Sequence, residues 1–262
     1  MCIALIRVWR KFMCNAVTIA VLWALGCLVA CGKNWAGNRE YEDGALKLIT
    51  EYAVDISEPS GLTIDPAGKR LWAVGGNERV YELDLQGRVL KVLDYRGRDP
   101  EGISYDPSDS TLWLVEERRR EIVHLDLDGT LLMSGSLDLE GAANNGLEGI
   151  CRDDEGVLYV LNEKSPGLFI QLKDDLSIQS SEAIEFADDY SGLFCAGQLG
   201  VFWILSDQDE TLFRWDEVSG ILNRYELPFS SAEGIAIDEA AGRVYIVSDW
   251  ASKLFVFEFP SL

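Results

Sequence analysis

Five oxygen-bearing side chains stand at equivalent positions along the chain, each directly before a glycine that is followed by leucine or isoleucine. They are Ser60, Glu101, Glu148, Ser191 and Glu233. The glycines behind them are 41, 47, 43 and 42 residues apart, which is the period of a repeat protein. A closed ring of such repeats would bring three carboxylates and two hydroxyls together at one mouth.

A second polar set follows the next apolar segment of each repeat and is expected at the same mouth. Crowded carboxylates raise each other's pKa, so they need compensation. Oxygen donors without cysteine or histidine suit Ca²⁺ better than Zn²⁺ or copper. We therefore predict a calcium site, although glutamates before the glycines can instead accept backbone N–H bonds in blade packing. The predicted metal ligands are Glu101, Glu148, Glu233, Glu163, Asp207 and Asp249.

Other residues expected at this mouth would contact a ligand or line the opening. They are Ser60, Ser191, Glu117, Asn162, Tyr190 and Trp250. Tyr190 and Trp250 either stack on a ligand or cover the channel. The run Arg118–Arg120 either grips a carboxylate or phosphate or, as we expect, balances the neighbouring glutamates in a solvated loop.

The elements that must position these residues are short strands. In each repeat the glycine is followed by a β-branched and aromatic segment, such as Leu71–Val74 or Phe202–Leu205, and then by further strands. Four strands per repeat make a propeller blade. The fifth repeat has three, and an N-terminal strand at about 46–54 supplies the fourth. We predict an all-β, five-bladed β-propeller closed by that strand.

The first 30 residues have the character of an export signal. Arg7, Arg10 and Lys11 precede an apolar run that ends at a small-residue site before Cys31. Cys31 resembles the lipidated cysteine of a bacterial lipoprotein, and the alternative is an uncleaved membrane helix. We expect 1–30 as signal or membrane segment, 31–44 as lipidated cysteine and tether, and 45–262 as the propeller. The protein would face the periplasm on a membrane, and Gly32 after Cys31 resembles the pattern of sorting to the outer membrane.

Two cysteines, Cys151 and Cys195, remain in the predicted domain. They are two and three residues beyond their repeat glycines, so they should point to opposite faces of their strands. We therefore expect two buried free thiols rather than a disulfide.

Charge and histidine content exclude several function classes. The formal charge is −21, and loss of the three basic residues of the signal makes it −24, so the surface repels nucleic acid. His124 is the single histidine and lies within a predicted strand, which excludes a Ser-His-Asp or Cys-His hydrolase.

Several phrases together resemble the SdiA-regulated (YjiK-like) family, which is related to NHL-repeat propellers. They are Glu58–Leu62, Asp99–Ile103, Leu147–Ile150, Ala232–Ile235 and Tyr245–Asp249. The resemblance covers about residues 46–262. It implies a five-bladed, exported, membrane-attached propeller with a shared calcium site and no established biochemical activity.

Three functions remain open. We expect an envelope-anchored, calcium-binding propeller that binds an unknown protein or small ligand and is not an enzyme. The alternative is a calcium-dependent lactonase or esterase, similar to the six-bladed gluconolactonases, with Glu101, Glu148, Glu233 and Asp207 or Asp249 as the working residues. In the third, the propeller is a spacer or assembly platform.

Overall fold

The fold is described by a computed structural model over residues 42–76, 78–195 and 200–260. The predicted export signal and Cys31 lie outside these ranges. Within them every regular element is a strand, and no helix is long and apolar enough to cross a membrane. Two strands come first, β1 (Glu42–Ala45) and β2 (Lys47–Ala53). The other strands follow in groups, one group for each repeat.

Each repeat forms one antiparallel sheet, which is a blade of the propeller. Blade 1 contains β3 (Pro59–Ile64), β4 (Leu71–Gly75), β5 (Arg79–Leu83) and β6 (Val89–Arg96). Blade 2 contains β7 (Pro100–Asp106), β8 (Thr111–Glu116), β9 (Glu121–Asp126) and β10 (Leu131–Ser136). Blade 3 contains β11 (Leu147–Arg152), β12 (Leu158–Asn162), β13 (Leu168–Leu172) and β14 (Ile178–Ala183). Blade 4 contains β15 (Gly192–Cys195), β16 (Phe202–Ser206), β17 (Thr211–Asp216) and β18 (Gly220–Glu226). Blade 5 contains β19 (Ala232–Asp238), β20 (Arg243–Ser248) and β21 (Lys253–Glu258).

The ring is closed by the N-terminal strand, as predicted. β2 pairs antiparallel with β21 and is the outermost strand of blade 5, with Tyr52 opposite Leu254. The innermost strands β3, β7, β11, β15 and β19 contact one another in succession, and β19 returns to β3. The five-bladed propeller predicted from the repeats is therefore confirmed.

Strand β1 was not predicted, because most of its residues belong to the segment expected to be a tether. It runs parallel to β18 as a fifth strand on blade 4, with Gly44 opposite Tyr225. Only Leu46, which is buried, separates β1 on blade 4 from β2 on blade 5. The start of the described chain therefore holds two adjacent blades together and covers one exposed sheet edge.

The hydrophobic core is divided among the five seams between neighbouring blades. One buried cluster occupies each seam; that between blades 1 and 2, for example, contains Trp72, Val74, Leu112 and Leu114. The second strands of blades 1, 2 and 4 are buried along their whole length. Strands covered on both faces read as continuous apolar runs, which explains why these segments were recognisable in the sequence.

The repeat glycines are required by the close approach of the inner strands. A Cβ built on Gly61 would lie 2.6 Å from the backbone oxygen of Glu101 in the next blade, and one on Gly192 would lie 2.7 Å from that of Glu233. No side chain fits at these distances. The glycine therefore sets the spacing between blades, and the residue before it supplies the backbone that the neighbouring glycine packs against.

The prediction of two free thiols is wrong, because Cys151 and Cys195 form a disulfide across the seam between blades 3 and 4. Their Cα atoms are 5.6 Å apart. Neighbouring blades present opposite faces of their sheets to the seam they share. Side chains that point to opposite faces of equivalent strands can therefore meet, and the different offsets from the glycine favour the bond.

Candidate functional site

The oxygen-bearing side chain before the repeat glycine lies at an irregularity in the inner strand. Pairing with the second strand shifts register just before Gly102, Gly149 and Gly234, as well as in the corresponding part of β3. A β-bulge of this kind redirects a side chain out of the regular alternation. It allows Glu101, Glu148 and Glu233 to face a common opening at the start of the inner strands.

This opening is a pocket of about 400 Å³, which we call the acidic mouth. Two serines, a glycine and a glutamine contribute to its wall together with one lysine, Lys164. All the other lining residues carry carboxylates, and they are Glu58, Asp99, Glu101, Glu148, Glu163, Asp189, Asp207, Glu233 and Asp249. Below the mouth, the space enclosed by the ring of repeat glycines is about 10 Å³, enough for roughly one water molecule. The acidic mouth is therefore closed at its floor.

Burial makes several of these carboxylates hard to ionise. It raises the pKa of Glu148 well above its usual value, and the charges of Glu101 and Glu233 raise it further. The pKa of Glu233 is also raised well above normal, first by burial and then by Asp207 and Asp249. In both groups the neutral form is favoured over the ionised form, because burial and neighbouring negative charge oppose ionisation.

Two further glutamates have a pKa near neutrality. Burial raises the pKa of Glu101 to about 7; a hydrogen bond from Ser60 opposes the rise, and the charges of Asp99 and Glu117 add to it. Burial also raises the pKa of Glu117 to about 7, against a backbone hydrogen bond from Gly146. A small change in their surroundings therefore changes their charge at physiological pH.

Two triads of carboxylates are arranged closely enough to share an ion. Asp99, Glu101 and Glu117 form one triad, and Glu117, Glu148 and Glu163 form the other. In each triad the oxygen atoms lie within 4.8 Å of one another. Glu117 belongs to both triads and is itself buried. The two triads therefore have one carboxylate in common.

The structure brings together most of the residues predicted for the mouth. Glu101, Glu148, Glu233, Glu163, Asp207 and Asp249 all line it, together with Ser60 and Ser191. Of the predicted metal ligands, Glu233, Asp207 and Asp249 lie outside both triads. The pKa of Asp207 is raised by burial and by the nearby charges of Asp189 and Asp249. Glu117, expected to contact a ligand, belongs to both triads but is not among the residues that line the pocket.

Other predicted mouth residues are occupied in holding the fold. The hydroxyl oxygen of Tyr190 accepts hydrogen bonds from the backbone N–H groups of Phe186 (3.0 Å) and Ala187 (3.3 Å), and its ring is buried. Asn162 is also buried, and its Nδ2 donates to the backbone oxygen of Pro166 at 2.8 Å. Trp250 is 82% exposed and does not line the pocket.

The serines of the ring also have packing roles. Ser191 Oγ donates to the backbone oxygen of Ala232 in the next blade at 2.6 Å. Ser60 Oγ lies 3.4 Å from the backbone oxygen of Glu58. The Ser191 hydroxyl therefore contributes to packing between blades. The alternative role for the glutamates was to accept backbone N–H bonds, but Glu148 and Glu233 receive no hydrogen bond from the described residues.

Sequence reasoning missed three acidic residues of the mouth. Glu58, Asp99 and Asp189 each stand two residues before the serine or glutamate that precedes a repeat glycine, so the period that revealed the first set would also have revealed them. Glu58 and Asp99 adopt positive φ angles of 47° and 145°. Such backbone conformations are costly and cluster at functional sites. Ser206 Oγ donates to Asp189 at 2.5 Å, which fixes that carboxylate.

The basic run beside the mouth binds the protein's own oxygens. Arg118 Nε lies 2.9 Å from Asp99 Oδ2, and Arg119 lies 3.4 Å from Glu121. Arg120 donates from Nη2 to the backbone oxygen of Ala142 at 2.9 Å. These contacts agree with a loop that balances local charge. The remaining mouth cation, Lys164, pairs with Glu163.

Comparison with known proteins identifies the family and the fold. The sequence matches the SdiA-regulated family over residues 47–258, and no protein with a curated description matches it. The glutaminyl cyclase of Myxococcus xanthus superposes with a TM-score of 0.68 at 15% identity, over 85% of this chain and 100% of that one. A catalytically inactive virginiamycin B lyase of Staphylococcus aureus with quinupristin gives 0.50 at 17% identity, over 78% and 67%. A streptogramin B lyase gives 0.50 at 15% identity, over 81% and 73%. At these identities the likeness concerns the fold.

Proposed function

Because this chain belongs to the SdiA-regulated family and gathers its carboxylates at one mouth, we propose that it is a calcium-binding propeller. Its mouth would bind a small ligand or a protein, and its N-terminus would hold it in the cell envelope. The observation that carries the proposal is the pair of triads that share Glu117.

The charge balance of the mouth supports a bound cation. Nine carboxylates line the pocket with one lysine, and burial works against ionisation of the deepest of them. A divalent cation bound by the triads would favour the ionised form of Glu148, which belongs to one of them, and part of the binding energy would offset the cost of ionising it. Oxygen is the only donor that the triads offer, which favours Ca²⁺. With the metal bound, a ligand with a carboxylate, carbonyl or hydroxyl oxygen could complete its coordination.

Envelope anchoring is supported by two independent features. The N-terminal sequence has the pattern of a lipoprotein signal ending at Cys31. The disulfide between Cys151 and Cys195 suits an oxidising compartment such as the periplasm. Replacing Cys31 with serine should move the protein out of the membrane fraction of the cells that express it. A Cys31→Ser protein that stays membrane-bound after a high-salt wash would contradict lipidation.

Calcium binding is tested by thermal unfolding of the purified full-length protein in calcium and in excess chelator. A ligand that binds only the folded state stabilises it by RT ln(1 + [L]/Kd), or about 2.7 kcal/mol at a hundred times Kd. We expect calcium to raise the Tm, and we expect Glu117→Gln to remove most of the rise because it changes both triads. Asp249→Asn is the matched control, since Asp249 lines the mouth but belongs to neither triad. Equal calcium shifts in the wild type and Glu117→Gln would contradict the site.

A second function is favoured by the pKa values near 7 of Glu101 and Glu117. A group of that pKa is suited to general acid–base catalysis at neutral pH. The protein would then be a lactonase or esterase, and a metal held by the triads would polarise the substrate carbonyl. A panel of lactones and esters tests this function. Calcium-dependent turnover that Glu233→Gln abolishes, with calcium binding retained, would favour the enzyme over the binding protein, because Glu233 lines the mouth and belongs to neither triad.

A further inference from the structure

A second pocket lies at the opposite end of the blades, in the groove between blades 2 and 3. It has a volume of about 240 Å³. The turns that follow β7, β11 and β13 contribute to its rim, and side chains from β8, β9 and β10 form its wall on blade 2. It shares no residue with the acidic mouth.

Arg152 gives this groove an unused hydrogen-bonding group. It stands three residues after its repeat glycine, where the other blades have Ile64, Tyr105, Cys195 and Ile237. Its side chain is 22% exposed, and its Nε lies 2.8 Å from Asp106 Oδ2. The guanidinium lies over the ring of Trp113 at 5.7 Å. Among the described residues no acceptor is hydrogen-bonded to its terminal nitrogens.

The orientation of Arg152 leaves these nitrogens available to the groove. A Cβ built on Gly156, which lines the groove, would lie 3.0 Å from Nη2. The glycine therefore lets the guanidinium lie against the wall. Nε is the nitrogen of this side chain that is buried without a hydrogen bond, and the planar fork of arginine fits a carboxylate through two parallel hydrogen bonds.

His124 adds an acceptor to the same groove. Thr111 Oγ1 donates to Asp109 Oδ1 at 2.5 Å, so its hydroxyl proton is used there. The contact of 2.7 Å between His124 Nε2 and Thr111 Oγ1 then requires His124 to donate from Nε2. In the neutral ring this leaves Nδ1 as an acceptor. The ring is stacked on Trp113, with centroids 3.9 Å apart.

The rest of the groove is divided between apolar and charged side chains. Met133, Leu158 and Leu172 provide hydrocarbon surface. Lys173, exposed at the rim, adds a second cation. Three carboxylates also line the groove: Asp106 is paired with Arg152 and Asp109 accepts from Thr111, whereas Asp174 lies beside Lys173 at the rim. We infer that the groove between blades 2 and 3 binds a small organic carboxylate with an apolar body. The carboxylate lies on Arg152 and Lys173, and the apolar body packs against Met133, Leu158 and Leu172.

Saturation-transfer NMR with the purified full-length protein tests this inference, with 4-methylpentanoate as the probe. Its uncharged counterpart, 4-methylpentanamide, has the same hydrocarbon body. We expect saturation transfer to the methyl groups of the acid at millimolar concentration and roughly tenfold weaker binding of the amide, because charge-assisted hydrogen bonds are lost. Equal binding of acid and amide, or no saturation transfer to the acid, would overturn the inference.

Variants locate the binding. Arg152→Gln should weaken binding of the acid roughly tenfold and leave that of the amide unchanged. Lys173→Gln changes an exposed residue, so it keeps the test decisive if Arg152→Gln does not fold; it should weaken acid binding severalfold. Lys69→Gln is its control, an exposed lysine in the turn between β3 and β4 of blade 1 that does not line the groove. If Lys173→Gln and Lys69→Gln both bind like the wild type, the carboxylate does not lie in this groove. The acidic mouth plays no part in this outcome.

Discussion

At the residue scale, the unusual property of this protein is a set of acidic side chains held where ionisation is unfavourable. The pKa of Glu101 rises from 4.5 to about 7, and the same value applies to Glu117. The folded state therefore binds protons that the unfolded state has already released. Below about pH 4.5 both states are protonated, and above about pH 7 both are ionised, so the difference in stability develops between these values.

The first prediction concerns pH. In chelator, the free energy of unfolding should fall as the pH rises from about 4.5 to about 7, because the folded state holds more protons in this window. The raised pKa values of Glu148 and Glu233 act in the same direction. Calcium should reduce the fall, since it takes the place of the protons. Denaturant unfolding at a series of pH values measures this, and a stability that rises through the window in chelator would contradict it.

At the scale of the element, the inner strand combines packing with the display of side chains. Its glycine lets neighbouring strands approach, and its bulge turns the preceding residue toward the mouth. In blade 2 these two functions fall on adjacent residues, Gly102 and Glu101. Changes to the glycine should therefore damage the ring, whereas changes to the preceding residue should affect chiefly the mouth.

The second prediction tests this division. Gly61→Ala should lower stability by about 1–3 kcal/mol, the usual cost of overpacking, because its Cβ would lie 2.6 Å from the backbone oxygen of Glu101. Ser60→Ala, one residue earlier, is the control: it removes a hydroxyl that contacts Glu58 at 3.4 Å and hydrogen-bonds Glu101 at the mouth, and it adds no atom to the seam. Denaturant midpoints of the two variants compare them. A Gly61→Ala protein as stable as Ser60→Ala would show that the seam has room for a methyl group.

The third prediction concerns the disulfide between inner strands β11 and β15. Its cysteines are 44 residues apart, and cross-linking a loop of that length stabilises by about 3–4 kcal/mol. A reductant should therefore lower the denaturant midpoint of the wild type. The double variant Cys151→Ser/Cys195→Ser should begin at the lower value and not respond to the reductant. A wild type whose stability is the same in oxidised and reduced form would contradict the cross-link.

At the scale of the whole molecule, the main feature is a large excess of negative charge. The chain carries −21, and its isoelectric point is 4.3. Self-repulsion of this size destabilises a compact state and is screened by salt. It also favours cations and basic partners near the surface, in agreement with the function proposed for the mouth.

The fourth prediction follows from this charge. In chelator at neutral pH, sodium chloride should raise the Tm, because it screens repulsion between carboxylates. Near the isoelectric point of 4.3, the same salt should have little effect. Scanning calorimetry at the two pH values measures the difference. An equal rise in Tm at the two pH values would contradict the prediction, because it would show that the salt does not act by screening charge.

Much of this arrangement was predictable from the sequence because the repeats carry it. The glycine, the apolar second strand and the missing fourth strand of the last repeat define five blades and their closure. Strand β1 was not predictable: glutamate, aspartate, glycine and alanine are depleted in strands, and these residues become a strand because the edge of β18 is available to them. The disulfide was missed because the rule for one sheet does not apply across a seam. Within one sheet, side chains on opposite faces cannot meet, whereas two neighbouring blades present opposite faces to the seam between them.

Most residues of the acidic mouth were predictable from the sequence, but the distances between their carboxylates were not. The repeat position identified Glu101, Glu148 and Glu233, whereas the grouping into triads depends on Asp99 and Glu117 from a neighbouring turn. No spacing in the sequence indicates which oxygens lie within ligand distance. Occupancy by calcium stays a prediction.

The alternation of serine and glutamate around the ring has one more consequence. Five identical residues would form a ring in which a ligand could sit in five equivalent orientations. Here Ser60 and Ser191 interrupt the series, so Glu101 and Glu148 are neighbours while Glu233 stands apart. This arrangement has no rotational symmetry. A molecule bound at the mouth would therefore adopt a single orientation about the propeller axis, although the backbone of the propeller is nearly five-fold symmetric.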